Sequence, residues 1–465
     1  MSKTNFQKYL LIAVSASILG LSGCKTTSFS DVETDRAAIE SRLPDQWQLT
    51  LQQGQIPQDW QSLFNDPILT EYMQKAETQN SDINRAIIRV RQAEAGLRQT
   101  RSVLLPVLRA DAQVSGVSFL NDIELSDSYS DGLSASWDPG LFGRNAIEID
   151  GAESLLNAQR ANAERVRRIV MAQVARTYIQ IIETDYQLIL ARENLDFIGE
   201  TLRISEARFE AGDIARDQLA LAQLETANAK ASVETLELSA RNLRRNLAVL
   251  IGDNPDSTLP VAEQLPNPAD LSTDMVPMEV LGRRFDVGAS RARIVVAFSG
   301  LQQAERLNWP SLALTGRLSG SGSDLGDLFD IDGYISSLAS SLTATLFDGG
   351  RKDAQIETAR AGLDEALINY DEVLRNALLE VESGFDRMAA ARRSLKILDQ
   401  GSEAANKALE LEKIKYDLGE SIILDVLTVQ RRVNAILASN ISTQRRLLDA
   451  QIDTYLALGG EPIIQ

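Results

Sequence analysis

Two stretches of this chain, 207 residues apart, are variants of one another. Ala207-Arg208-Phe209-Glu210-Ala211-Gly212-Asp213 aligns with Ile414-Lys415-Tyr416-Asp417-Leu418-Gly419-Glu420. The same offset pairs Arg144 with Arg351, Leu219 with Val426, Gln223 with Gln430 and Gly252 with Gly459, and sets Ser134-Ala135-Ser136 against Ser341-Leu342-Thr343. Pro106 and Pro310 pair at 204, so the one change of length falls between residues 106 and 134, where a surface loop absorbs it. An offset held over more than 100 residues identifies a tandem duplication, and whatever one half folds into, the other must fold into as well.

Each half has the same grammar. From Arg144 to Phe209 the sequence is poor in Gly and Pro and rich in Ala, Leu, Glu, Arg and Gln, with Ile169, Val170, Val174, Tyr178, Ile181 and Ile182 at helical spacing. At 1.5 Å per residue this is a helix of about 100 Å. Gly212 ends it as a C′ glycine does, and 214–251 returns as a second helix that stops at Gly252. The second half repeats the pattern with 351–416, Gly419 and 421–458. Long hairpins of this kind pack as coiled coils or as a plain soluble bundle.

The material between the helices alternates with period two. Residues 107–118 set Leu108, Ala110, Ala112 and Val114 against Arg109, Asp111, Gln113 and Ser115, which predicts a two-faced strand. Segments 133–138, 311–320 and 334–346 do the same, the last with Leu338, Leu342, Ala344 and Leu346 opposite Ser337, Ser341, Thr343 and Thr345. Four such strands in two hairpins, with aromatic residues near their ends (Phe119, Tyr129, Trp137, Phe142, Tyr334, Phe347), fit a transmembrane β-barrel or two soluble hairpins on a helical bundle. In lipid, four strands cannot close alone, so such a barrel has to be shared between chains.

Composition removes many functions. The chain has no His, which excludes His-based acid–base chemistry and His-ligated metals, and its single Cys excludes an intrachain disulfide or a thiolate cluster. The remaining dispersed carboxylates suggest no enzyme and no metal site. A net charge of −18 opposes nucleic-acid binding. The one long apolar run, Tyr9 to Leu21 behind Lys3 and Lys8, is too short to span a bilayer and has the form of a signal-peptide core. It ends in Leu21-Ser22-Gly23-Cys24, which resembles a bacterial lipobox; this implies cleavage after residue 23 and a covalent lipid on Cys24. An ordinary secretory signal with a chance cysteine is the plainer alternative. Lys25, rather than the Asp of inner-membrane lipoproteins, favours the outer membrane.

Several motifs now converge. Trp60-Gln61-Ser62-Leu63-Phe64-Asn65-Asp66-Pro67, Asn80 with Asp82, Arg89-Val90, Pro106, Leu141-Phe142-Gly143-Arg144 and Leu346-Phe347-Asp348-Gly349-Gly350-Arg351 resemble the TolC-type outer membrane factors, in their NodT-like lipoprotein branch. Arg284-Phe285-Asp286-Val287 departs from the Arg-Pro-Asp-Val usual in relatives. The resemblance implies a mainly α fold with a transmembrane β part. Three chains would share a twelve-stranded barrel and a periplasmic α-barrel of long helical hairpins.

It divides the chain into a signal peptide (1–23), an N-terminal segment carrying the lipid and part of an equatorial belt (24–66), a first repeat (67–252, with strand hairpin 107–138 and helical hairpin 144–251), an equatorial connection (253–281), a second repeat (282–459, with strand hairpin 311–347 and helical hairpin 351–458) and a short tail (460–465). No cofactor beyond the lipid is implied. The partners implied are two further copies of the chain, a periplasmic adaptor, an inner-membrane RND-type pump and outer-membrane lipid. The function implied is the exit duct of a tripartite efflux system for small molecules. A type I protein-secretion duct and a pore-less periplasmic coiled-coil lipoprotein are the alternatives.

The family's gate matches Gly419-Glu420-Ser421-Ile422-Ile423-Leu424-Asp425, so three copies of Asp425 would meet at a constriction, with Asp217, Tyr416 and Arg431 as further gate or latch members. The plainer reading of Asp425 is a solvated carboxylate early in a helix. In the first repeat relatives carry their Asp six residues after the tip glycine, where this chain has Gln218. The tips Ala211-Gly212-Asp213 and Leu418-Gly419-Glu420 resemble adaptor-docking turns, although any helical hairpin can turn on such a glycine.

Overall fold

The computed structural model describes residues 27–460 apart from 49–55, 58, 120–121, 268–269, 272–274, 325, 327–329, 331 and 333. The signal peptide and Cys24 lie outside the described residues. In chain order the elements are α1 (Phe29–Glu40), α2 (Trp60–Phe64), α3 (Pro67–Gln79), α4 (Ser81–Arg101), β1 (Val107–Phe119), β2 (Asp122–Trp137), α5 (Arg144–Glu210), α6 (Arg216–Leu250), α7 (Pro277–Gly282), α8 (Phe285–Arg306), β3 (Ser311–Gly322), β4 (Ile335–Thr343), α9 (Arg351–Asp417) and α10 (Ile423–Ala457).

The duplication is reproduced residue for residue in the four long hairpin helices. α5 and α9 each have 67 residues, α6 and α10 each have 35, and every boundary is displaced by 207. The return helices start at 216 and 423, two residues later than the periodicity predicts. Ala215 and Ile422 are the reason, since both N-cap positions are extended, with ψ 158°.

The strands form one antiparallel sheet in the order β1-β2-β3-β4, so among the described residues β1 and β4 are each paired on one side only. Its register aligns the two faces. Leu108, Ala135, Gly316 and Leu338 are cross-strand partners on one face, and Arg109, Ser134, Arg317 and Ser337 on the other. The polar face carries an Arg317–Asp111 ion pair of 3.0 Å, while Leu108, Val114, Leu133, Leu338 and Leu342 stand exposed. Two strand predictions are corrected. β2 begins at Asp122 rather than 133, because main-chain pairing with β1 continues through Ser126 to Asp131, where neither face is apolar and the alternation gives no signal. β4 ends at Thr343 rather than 346, because its partner there is Ser311, the first residue of β3, and Pro310 before it has no N–H to extend the ladder.

The junction from sheet to long helix differs between the repeats. Gly349 and Gly350 take φ of +70° and +85°, and at the equivalent positions Phe142 and Gly143 take +64° and +79°. A phenylalanine in that region is strained by about 1–3 kcal/mol. Its ring packs on Trp309 at 4.8 Å between centroids.

The described residues group into two compact units, one of 27–42, 93–156 and 291–369 and the other of 43–92, 157–290 and 370–460. Each repeat contributes to both, so the sequence repeats and the compact units are different divisions. In the first unit α1, which the sequence assigns to the equatorial belt, lies along α8, with Phe29 against Phe298 at 5.5 Å and Arg291 paired to Glu40 at 3.3 Å. In the second unit the core gathers around 170–182 of α5, where Val174, Tyr178, Ile179, Ile181 and Ile182 are buried together with Leu63, Phe64, Leu69 and Leu247. A helix apolar on all sides needs such a complete jacket. The Tyr178 hydroxyl donates to Asp66 Oδ2 at 2.9 Å and accepts the Ala262 N–H at 3.1 Å, while Asp66 Oδ1 caps α3 through the N–H groups of Ile68 and Leu69. Asn80 caps α4 through Asp82 N–H and donates to the Leu250 carbonyl at 2.7 Å.

At the start of α8, Arg284 is 9% exposed. It pairs with Asp286 at 2.7 Å and Glu380 at 2.6 Å, and donates to the Ala457 carbonyl at 3.0 Å. Phe285, the residue at which this chain departs from the Arg-Pro-Asp-Val motif, offers its ring face to the Arg168 guanidinium at 4.3 Å. The departure thus gains a cation–π contact.

Candidate functional site

Both hairpin tips are closed by main chain. At the first, Gly212 has φ +81°, its N–H bonds to the Phe209 carbonyl (3.0 Å), and Asp213 N–H reaches Arg208 carbonyl (2.8 Å). At the second, Gly419 has φ +77°, with Gly419 N–H to Tyr416 carbonyl (3.0 Å) and Glu420 N–H to Lys415 carbonyl (2.9 Å). Both are Schellman closures that absorb the last helical carbonyls and leave side chains out of the turn. No atom lies within 4 Å of where a Cβ would project from either glycine, so the tips are open around them. Ala211, Asp213 and Glu420 are exposed, and Leu418 is 69% exposed. The two turns share a backbone and differ in chemistry: the first is polar and the second carries an apolar side chain.

Asp425 is exposed at the third position of α10, and its Oδ2 lies 3.4 Å from the Ile422 N–H. Only this half of a capping box can form, since Ile422 has no side-chain acceptor. The Ser421 hydroxyl donates to Glu412 Oε1 at 2.5 Å, and its Oγ also lies 3.3 Å from Asp425 Oδ2. The Ser421 hydroxyl and then the Lys415 ammonium hold the Glu412 carboxyl below its ordinary range. The other gate candidates do not come together within the chain. Arg431 pairs with Glu225 across α10 and α6 at 3.2 Å, and the half-buried Tyr416 ring lies under the Arg208 guanidinium at 5.8 Å. Asp217 is exposed in the first turn of α6 and, among the described residues, bonds to none of Asp425, Tyr416 or Arg431. Glu412, Glu225 and Arg208 are partners that sequence alone gives no means of choosing, because each lies on a different arm of the hairpins from the residue it meets. Among the described residues no cluster of three or more acidic, His or Cys side chains could hold a metal ion, and no helix is long and apolar enough to cross a membrane.

Residues 72–253 and 276–460 match the family model described as outer membrane efflux protein. The pyoverdine export outer membrane protein OpmQ of Pseudomonas aeruginosa is 29% identical over 445 residues, 91% of this chain and 93% of that protein. Nodulation protein T of Rhizobium leguminosarum bv. trifolii is 25% identical over 391 residues, 82% and 83% of the two chains. Among solved structures, the open state of the MtrE outer membrane channel of Neisseria gonorrhoeae superposes with a TM-score of 0.79 at 25% identity, covering 90% of this chain and 95% of that one.

Proposed function

The chain belongs to the outer membrane efflux protein family, and on that premise we propose that it is the outer-membrane exit duct of a tripartite efflux system, working with an RND-type pump and a periplasmic adaptor. The observation that carries this is the open four-stranded sheet: one face apolar and exposed, the other polar, and both outer strands half-paired. Unpaired strand edges are not tolerated in lipid, whereas three copies placed edge to edge close a twelve-stranded barrel with the apolar face outward. Solute then moves through a polar passage and no side chain has to make or break a bond. One relative has pyoverdine export in its name, which supports small solutes as cargo.

Control lies at a constriction formed by the second tip, where three copies of Asp425, each with Ser421 and Glu412 beside it, would concentrate negative charge. Carboxylates a few ångström apart repel by only about 1 kcal/mol in bulk water and several-fold more in a narrow pore. The test is planar-bilayer recording of the purified mature protein, whose mass in detergent is expected to be that of a trimer. Asp425→Asn keeps the acceptor for Ile422 N–H and removes the charge, and is expected to lower cation preference and block by divalent cations, with Asp217→Asn changing neither. A monodisperse, non-conducting monomer would sink the duct reading. Unchanged selectivity in Asp425→Asn would leave that residue as a helix cap.

The lipobox supports lipidation at Cys24 and an outer-membrane anchor. In Cys24→Ser, acyl labelling is expected to vanish while the barrel still inserts. Labelling equal to that of the wild type would refute it.

A further inference from the structure

Where the sheet passes into the long helices, a cavity of about 200 Å³ is lined by Arg144, Arg306, Arg351 and Lys352. Two carboxylates answer these four cations, and only loosely: Asp138 is 3.7 Å from Arg144, and Asp348 is 3.9 Å from Arg351. Both are already occupied by main chain, Asp138 accepting Gly140 N–H at 2.9 Å and Asp348 accepting Lys352 N–H at 3.2 Å. The Arg306 guanidinium lies over the Trp309 ring at 5.5 Å, and Lys352 Nζ donates to the Thr345 carbonyl at 3.3 Å. The four cations and these two carboxylates leave two positive charges in excess.

Helix stability does not explain this excess. Arg144 opens α5, and Arg351 and Lys352 open α9, so three cations sit at the positive ends of helix dipoles, where carboxylates are the stabilising choice. Nor does the junction itself require them. At the offset of 204 that pairs Gly96 with Gly300, Leu97 with Leu301 and Gln99 with Gln303, Arg306 stands where the first repeat has Ser102, and Trp309 where it has Leu105. At the offset of 207, Lys352 stands where the first repeat has Asn145. One repeat makes the turn without these side chains. Local choices that work against the fold mark a functional demand.

The cavity's strand residues are Ser311 and Thr343, on the parity of Arg317 and Ser337, with Asp138 and Thr345 just beyond the ends of β2 and β4, and Leu312 and Leu342 are not among its walls. It therefore opens on the polar face of the sheet. We propose that it binds an oxyanion, a carboxylate, sulfonate or phosphate group, carried by solute on the polar side of the sheet, with one site per chain. Guanidinium groups match such anions in shape and charge. That the anion arrives as efflux solute rests on the duct reading. Its binding does not.

The experiment titrates the mature protein in detergent calorimetrically with inorganic pyrophosphate, and records the same protein in planar bilayers with pyrophosphate in the bath. Arg306→Ser with Lys352→Asn, the first repeat's own residues, is expected to weaken binding and current block by about ten-fold or more. Arg306→Lys with Lys352→Arg is expected to restore them, and Arg317→Ser, elsewhere on the polar face, to leave them unchanged. If the neutral pair fails to assemble, Arg306→Gln alone is titrated and a loss of about three-fold is expected. Equal affinity in the neutral variant, or no binding by the wild type, overturns the site. A wild type that binds pyrophosphate and carries no current overturns the duct and leaves the site standing. One that conducts without binding or block overturns the site alone.

Discussion

Arg284→Met is expected to destabilise the protein by about 3–5 kcal/mol, the cost of breaking a buried ion pair from one side. Arg284 is 8% exposed in its side chain, and its loss strands Asp286, which is three-quarters buried, as well as the Ala457 carbonyl at the end of α10. Glu380 is 57% exposed and contributes little, so Glu380→Gln is expected to cost about 1 kcal/mol or less. The pH dependence gives a second readout. Burial pushes the Asp286 carboxyl up, but its hydrogen bonds and charge pairing with Arg284 more than offset this and hold it below the ordinary range. A depressed carboxyl stabilises the fold above about pH 4, where the unfolded group is ionised, and this stability is lost as pH falls through the native value. In Arg284→Met the carboxyl keeps its burial and the Val287 N–H but loses its hydrogen bond and charge pairing with Arg284, so it titrates higher than in the wild type and the deficit against wild type should shrink on acidification. Thermal unfolding from about pH 5 to about pH 2 measures both. A deficit that stays constant over that range would refute the assignment.

The second large effect separates two glycines with nearly the same backbone. Gly212 and Gly252 have φ of +81° and +84° and close equivalent Schellman turns. Alanine at Gly212 meets no atom within 4 Å and should cost only the left-handed conformation, about 1 kcal/mol. At Gly252 a Cβ would stand 2.5 Å from Gln79 Cβ and 3.0 Å from its carbonyl oxygen. Neither can retreat, because Asn80 ties this segment to the Leu250 carbonyl. Overpacking adds to the conformational cost, and Gly252→Ala should lose about 3 kcal/mol or more. Equal melting temperatures for the two variants would show the contact to be soft.

The helices are the most legible part of the sequence. A 3.6-residue apolar period over 67 positions, ended by Gly212 and Gly419, leaves little choice, and the offset transfers each boundary to the other half. Strands are legible only where one face is apolar. The polar stretch from Ser126 to Asp131 pairs through its main chain and shows nothing in its side chains. α1 escapes a reading by periodicity because its burial is confined to a few positions such as Val32, too few to set a period. At the tips, Gly419 and Asp425 stand out because the chain is local there. Their partners do not. Whether Arg431 meets Glu225, or Tyr416 meets Arg208, depends on which hairpin lies beside which, and nothing in either residue's own neighbourhood encodes that.

Phe142 and Gly349 show what duplication has made available. A ring of six identical units could offer only six copies of every joint and every surface. With two unlike units fused in one chain, one joint can keep two glycines at no conformational cost while its twin accepts strain in exchange for an aromatic contact. In the proposed trimer the two kinds of joint would then alternate around the circumference. Fusion fixes that alternation in covalent order, so no error of assembly can place two of one kind side by side.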